Sequence, residues 1–118
     1  MFRRLLSTMA TSLTPMEDAI RTKVTQALNP RTLEIHNDSH RHAHHQAMQG
    51  VTSKETHFRL MIVSDEFAGK GLRARHQIIY NLLKDEMAQE GGIHALQMTT
   101  RTPAEQEKHQ EKQQQTDA

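Results

Sequence analysis

The stretch THFRLMIVS, residues 56–64, decides the fold class because its apolar residues recur with the two-residue period of a β-strand. Phe58, Leu60 and Ile62 point to one side, and the residues between them point to the other. The turn DEFAGKG follows it and leads into an amphipathic helix, whose stripe at steps of three or four is Leu72, His76, Ile79, Tyr80, Leu83 and Met87. A strand followed by such a helix predicts a mixed domain in which helices cover one face of a sheet.

The segments on either side supply the other elements of this domain. Residues 14–17, TPME, form a capping box with proline at the first helical position and predict a helix that Asn29-Pro30 ends. Residues 32–38, TLEIHND, predict a short half-buried strand, and residues 93–101, IHALQMTTR, predict a third strand. The order α-β-β-α-β therefore predicts a two-layer α+β sandwich over residues 14–103.

Three segments lie outside this regular pattern. Residues 1–13 are basic, with no acidic residue before Glu17, and suit either a mitochondrial transit peptide or a frayed, disordered terminus. Met9 offers an internal start that would give a shorter, cytosolic form. Residues 38–55 predict one long loop. Residues 104–118 predict a polar tail, at most a short frayed helix, that is partly disordered.

The amino-acid composition of the chain argues against several classes of function. The 118 residues contain no cysteine, which excludes disulfides, a thiol nucleophile and a metal site built from the chain's own thiolates. The formal net charge is only +1, so strong electrostatic attraction to nucleic acid is not expected. No apolar run is long enough to span a bilayer, and no membrane partner is expected.

Histidine is the residue that stands out in this composition, with nine in the chain. Residues 39–45, SHRHAHH, concentrate them in the long loop, where His40, His42 and His44 would face one way if the loop were extended. The residues alone leave three interpretations open: a metal site, a partner-facing loop, or solvated side chains. His36 and His109 are interpreted as solvated.

Three segments in this order resemble the BolA family: HNDSHRHAHH, ETHFRLMIVSDEFAGKGLRARHQIIYNLLKDEM and GGIHALQMTTRTP. The resemblance covers roughly residues 14–103. It implies a fold like the type II KH domain and a monothiol glutaredoxin as partner, in a heterodimer that shares a [2Fe-2S] cluster with glutathione. The isolated chain is then expected to be a monomer that holds no cluster tightly. Mitochondrial members of the family imply a matrix location and iron–sulfur client proteins, including lipoate synthase and other [4Fe-4S] enzymes.

The resemblance also implies which histidines would be metal ligands. His94 matches the histidine that ligates the cluster in the family, and His42 matches the loop histidine proposed as the second ligand. His57 matches a family histidine of less defined role and is the other candidate for the second ligand. Each has a structural alternative: His94 and His57 as histidines of strand ends, and His42 as a solvated loop residue.

Residues 73–76, RARH, match a recurring arginine–histidine pair of the family. With the preceding lysine they predict a surface for partner binding at Lys70, Arg73, Arg75 and His76. A lone histidine on the apolar stripe of a helix is more often a packed core residue, and this alternative stays open for His76.

The sequence also bears on two other classes of function, nucleic-acid binding and catalysis. A KH-like fold and a bacterial transcriptional regulator in the family favour a nucleic-acid-binding protein, but GKGL at residues 69–72 lacks the GXXG spacing that KH domains use. An enzyme is not expected, because no H-E-x-x-H, P-loop or Rossmann pattern is present. The sequence therefore predicts a non-enzymatic iron–sulfur adaptor, with a KH-like nucleic-acid-binding or transcriptional regulatory protein as the alternative.

Overall fold

A computed structural model describes residues 14–39 and 55–117 of the chain. The elements in those ranges are α1 (Pro15–Leu28), β1 (Thr32–Asn37), β2 (His57–Val63), a 3-10 turn (Asp65–Phe67), α2 (Leu72–Leu82), α3 (Lys84–Ala88), β3 (Ala95–Arg101) and α4 (Pro103–Asp117). This order confirms the predicted α-β-β-α-β core. It adds the short helix α3, and α4 is longer than the short C-terminal helix that was predicted.

The three strands form one sheet in the order β1-β2-β3. The central strand β2 runs antiparallel to β1 and parallel to β3. A parallel neighbour requires a crossover connection, which α2 and α3 supply. Phe58, Leu60 and Ile62 of β2 are buried and form the core with residues of α1, α2 and the segment before β3. The predicted two-layer α+β sandwich is therefore confirmed.

Helix α1 buries Ile20, Val24 and Leu28 against this core, as its spacing predicted. Its N-terminus needs a correction, because Thr14 makes no side-chain capping hydrogen bond. The carboxylate of Glu55 instead accepts hydrogen bonds from the backbone N–H groups of Met16, at 3.0 Å, and Glu17, at 3.1 Å. A carboxylate from the far end of the long loop therefore replaces the local capping box.

The predicted second helix is divided in two, and its buried stripe differs from the predicted one. The backbone turns at Leu83, which separates α2 from α3. Leu72 is 64% exposed and Tyr80 is 39% exposed, although both were placed on the buried stripe. Ile79 and Leu83 are buried as predicted, and Arg75 and Glu86 are buried with them. These two charged residues were not on the predicted stripe, because a pattern of apolar residues does not select them.

Helix α4 begins with a capping box of its own. Glu105 N–H donates to Thr102 Oγ1 at 3.2 Å, and Thr102 N–H donates to Glu105 Oε1 at 2.8 Å. These bonds give a polar segment with no apolar face a defined start after β3. None of the helices in the described ranges has both the length and the apolar character needed to cross a membrane.

Candidate metal centre

His57 and His94 meet at one end of the sheet. His57 is the first residue of β2, and its register partner in the parallel neighbour β3 is Ala95. His94 directly precedes that partner, one residue before β3 begins. The two imidazole rings approach edge to face, with their centroids 6.3 Å apart and an interplanar angle of 63°. The parallel pairing of β2 with β3 therefore brings together two of the three predicted ligands.

The backbone of His94 is fixed although its side chain is exposed. Its N–H donates to the carbonyl oxygen of Thr56 at 2.7 Å. The preceding residue Ile93 is buried, and its N–H donates to the Glu86 carbonyl oxygen at 3.0 Å. Gly92 has no room for a side chain, since a Cβ there would overlap the same carbonyl oxygen. His94 thus presents a ring to solvent from a rigid segment.

His57 is half-buried and is held on both its backbone and its ring. Its N–H donates to Ser39 Oγ at 3.1 Å. Its ring Nδ1 lies 2.8 Å from Thr56 Oγ1. The carbonyl oxygen of His57 accepts from the N–H of Asp38 at 2.8 Å, which joins the start of β2 to the end of β1.

A charged pair lies beside the histidines, since Arg59 follows His57 by two residues on the same side of β2. Arg59 Nε donates to Asp38 Oδ2 at 3.0 Å, and Arg59 Nη2 donates to Asp38 Oδ1 at 3.3 Å. The hydrogen bonds from this guanidinium to Asp38, together with the charge of that carboxylate, raise the pKa of Arg59 above its ordinary value. The two opposite charges compensate each other beside the two histidine rings.

Two histidines that bind one iron atom need their rings at a defined separation. Two imidazoles bound to one tetrahedral ion at metal–nitrogen distances of about 2.1 Å would have ring centroids about 5 Å apart. The observed 6.3 Å is longer than this, so at least one ring would have to move before both could bind one ion. In residues 14–39 and 55–117, no group of three or more His, Asp or Glu side chains is placed to hold a metal ion. The described part thus brings two candidate nitrogen ligands near each other, and a metal ion held by both would need further ligands from elsewhere.

The other predicted histidines do not join this pair in the part that the structure describes. His42 lies outside the described residues, as do His40, His44 and His45, so its role as second ligand stays a prediction. His36 is on β1, where its ring Nε2 is 3.4 Å from Glu34 Oε1. His76 is half-buried on α2, and His109 is on α4.

The predicted partner-binding residues divide into exposed and internal ones. Lys70 and Arg73 are exposed and His76 is half-buried. Arg75 needs a correction, because it is only 6% exposed. Its Nε donates to the Lys70 carbonyl oxygen at 2.8 Å, and its Nη1 donates to the Thr100 carbonyl oxygen at 3.1 Å and to Glu105 Oε1 at 2.7 Å. The Arg75 guanidinium therefore stabilises the domain internally and is not presented to a partner.

Sequence reasoning missed the hydroxyl groups that support the histidines. Ser39 and Thr56 stand at the two ends of the long loop, and both are buried. Thr56 N–H donates to Ser39 Oγ at 2.8 Å, so the loop ends are joined directly. The one local signal is the sequence Asn37-Asp38-Ser39, because asparagine commonly accepts a hydrogen bond from the N–H two residues later. That bond is present at 3.0 Å, from Ser39 N–H to Asn37 Oδ1.

A family model and several related proteins match this sequence. Residues 24–105 match the family model described as BolA-like protein. The chain is 47% identical over 107 residues to the UV-induced protein uvi31 of Schizosaccharomyces pombe, covering 89% of this chain and 98% of that protein. It is 48% identical over 88 residues to SufE-like protein 1, chloroplastic/mitochondrial, of Arabidopsis thaliana, which covers 73% of this chain but only 23% of that longer protein.

Solved structures have the same fold. The solution structure of BolA1 from Mus musculus superposes with a TM-score of 0.65 at 37% identity, covering 86% of this chain and 76% of that one. The shared architecture is a small α+β domain with a three-stranded sheet and helices, as the sequence predicted.

Proposed function

Because this chain belongs to the BolA-like family, we propose that it is a non-enzymatic adaptor of iron–sulfur cluster assembly that pairs with a monothiol glutaredoxin. The observation that carries the proposal is the approach of the His57 and His94 rings at one end of the sheet. The [2Fe-2S] cluster is the cargo of this adaptor, shared between the two proteins and glutathione.

The chemistry of the chain suits a shared cluster. Cluster iron is normally held by cysteine thiolates, and two imidazoles replace two thiolates in Rieske centres. A chain without cysteine supplies no thiolate, so the thiolates would come from the glutaredoxin cysteine and from glutathione. Imidazole ligands are neutral and can be protonated, which makes them easier to release than thiolates. Histidine ligation therefore favours transfer of the cluster over its storage.

His94 is the proposed principal ligand, since its ring is exposed while its backbone is anchored. His57 is the proposed second ligand because its ring is next to that of His94. His42 remains the alternative second ligand, on the resemblance alone.

The proposed partner surface lies at the start of α2. Lys70 and Arg73 are exposed cations, His76 is half-buried, and Leu72, which lies between the two cations in the sequence, is 64% exposed. An exposed apolar side chain with cations next to it in the sequence suits a partner with an apolar patch and acidic neighbours. Arg75 is left out of this surface because it is internal.

The mitochondrial matrix is the proposed location, and lipoate synthase and other [4Fe-4S] proteins are the proposed clients. The family resemblance supports both, together with the basic character of residues 1–13. The name of the Arabidopsis SufE-like relative also includes chloroplast and mitochondrion.

The nucleic-acid-binding alternative has less support. The Gly69 and Gly71 spacing differs from the GXXG loop, and the formal net charge is only +1. Binding of RNA or DNA with a steep salt dependence, in a chain that takes up no cluster, would favour this alternative.

The test is an anaerobic titration of the glutaredoxin–[2Fe-2S]–glutathione complex with the chain, followed by visible absorption and circular dichroism. The expected result is a spectral change that saturates at one chain per glutaredoxin. His94→Ala and His57→Ala should alter the spectrum, whereas His36→Ala is the matched control that should not, because that ring pairs with Glu34 instead. The absence of any spectral change with the unmodified chain would refute the proposal.

A further inference from the structure

One buried residue connects both candidate ligands. Thr56 is fully buried, and its backbone N–H donates to Ser39 Oγ at 2.8 Å. Its carbonyl oxygen accepts from the N–H groups of His94, at 2.7 Å, and Ala95, at 3.1 Å. Its hydroxyl oxygen lies 2.8 Å from Nδ1 of His57. Thr56 therefore fixes the backbone of one histidine and the ring of the other.

The position of this hydroxyl is set by its surroundings. Ser39 Oγ accepts from the N–H of Thr56 and from that of His57, at 3.1 Å, so the backbone around Thr56 is held from the side of β1. The bonds from His94 and Ala95 hold it from the side of β3. A side chain on a backbone fixed from both sides has a defined direction, unlike a hydroxyl that rotates on the surface.

We propose that Thr56 is a positioning residue that accepts a hydrogen bond from Nδ1–H of His57 and so directs metal coordination to Nε2 of that ring. A neutral imidazole carries one N–H, and only its other nitrogen can bind a metal. The Oγ1–Nδ1 contact is compatible with either tautomer, and the ligand role of His57 selects the one with Nδ1–H. Metal-binding histidines commonly donate their second N–H to an acceptor that fixes ring and tautomer. The inference rests on the proposed function for the ligand role of His57.

The hydroxyl can be tested apart from the backbone contacts. Thr56→Val keeps the shape of the side chain and the backbone groups, and it replaces the hydroxyl by a methyl group that cannot form a hydrogen bond. Thr56→Ser keeps the hydroxyl and loses one methyl group, so it is the matched control. A purely structural role for Thr56 would make the two variants differ in stability, but it would not change the tautomer of His57.

The first measurement uses the apo protein with ¹⁵N-labelled histidine, and the ring nitrogens are assigned by NMR at a pH well above about 6.5, where imidazole is neutral. The expected result is the Nδ1–H tautomer for His57 in the unmodified chain and in Thr56→Ser. Thr56→Val should shift the population toward Nε2–H. The Nε2–H tautomer in the unmodified chain would overturn the inference, and this reading holds even if Thr56→Val does not fold.

The second measurement is the rate at which the heterocomplex with glutaredoxin loses its cluster to a chelator. Loss of a hydrogen bond to a metal-binding histidine commonly lowers metal affinity by about 10–100-fold. We therefore expect cluster loss from Thr56→Val to be about 10-fold faster or more, and loss from Thr56→Ser to stay near the unmodified rate. Equal rates for the two variants would overturn the inference. An unmodified chain that forms no heterocomplex would refute the proposed function instead. The tautomer of His57 in the apo protein would then be the remaining test of whether Thr56 positions that ring.

Discussion

Replacing Arg75 by methionine tests whether this residue is part of the interior or of a partner surface. Arg75 is 6% exposed, and its guanidinium also lies 5.6 Å from the centre of the Phe67 ring. Methionine fills similar space but leaves the carbonyl oxygens of Lys70 and Thr100 without the donors they have now. Each hydrogen bond from a charged donor contributes about 1.5–3 kcal/mol.

The ion pair between Arg75 and Glu105 contributes less to the free energy of unfolding than its 2.7 Å distance suggests. The Glu105 side chain is 48% exposed, so water takes up much of the lost interaction, and the pair is worth about 1 kcal/mol. New apolar contacts of the methionine offset part of the loss. We therefore expect Arg75→Met to lower the free energy of unfolding by about 3 kcal/mol.

Urea unfolding at neutral pH measures this loss. With a slope of about 1.5 kcal/mol per molar urea, the unfolding midpoint should fall by about 2 M. Arg73→Met is the matched control, because Arg73 is exposed on the same helix and its replacement should change stability by about 0.5 kcal/mol or less. Equal stability of the two variants would refute the internal role of Arg75.

Two further predictions concern acidic residues. The hydrogen bond from the buried guanidinium, followed by that from the helix-capping backbone N–H, lowers the pKa of Glu105 from 4.5 to about 2. A folded pKa below the unfolded one contributes stability that is complete above about pH 4.5 and is lost as the pH falls toward about 2. Glu105→Gln should remove about 1 kcal/mol of this dependence after allowance for solvent screening, and an unchanged slope in urea unfolding across that range would contradict it. Glu55→Ala should lower the free energy of unfolding by about 2 kcal/mol because it removes the carboxylate that caps α1, and an unchanged thermal unfolding midpoint would contradict this role.

The strands and the sequence of elements were predictable because short-range patterns determine them. The alternation around Phe58, Leu60 and Ile62 is a property of neighbouring residues, and it indicates both the strand and its buried face. The cap of α1 was not predictable in this way. Glu55 acts on backbone groups that are 38 and 39 residues away, and no local pattern connects them.

The predicted buried stripe of α2 and α3 was right for Ile79 and Leu83 and wrong for Leu72 and Tyr80, for a related reason. Arg75 and Glu86 are buried because Glu105 and Lys23 neutralise them, and Lys23 Nζ lies 2.7 Å from Glu86 Oε2. Those partners are distant in the sequence. A pattern of apolar residues therefore included Leu72 and Tyr80, which the fold leaves exposed, and left out Arg75 and Glu86.

In the candidate site, too, the residue types were predictable from the sequence, whereas their arrangement depends on contacts between distant segments. Residue chemistry and the family resemblance singled out His57 and His94, but their approach depends on the register between β2 and β3. The supporting hydroxyls of Ser39 and Thr56 carry no distinctive chemistry of their own. Their role becomes visible only when the two ends of the long loop are brought together.

Pulsed electron paramagnetic resonance on the reduced heterocomplex tests the central claim most directly. The chain carries ¹⁵N-labelled histidine, and glutaredoxin and glutathione are unlabelled, so a ¹⁵N coupling to the cluster can come only from this chain. We expect a directly bonded ¹⁵N coupling that His94→Ala removes or replaces and that His36→Ala leaves unchanged. A heterocomplex that holds its cluster without any ¹⁵N coupling would contradict histidine ligation by this protein.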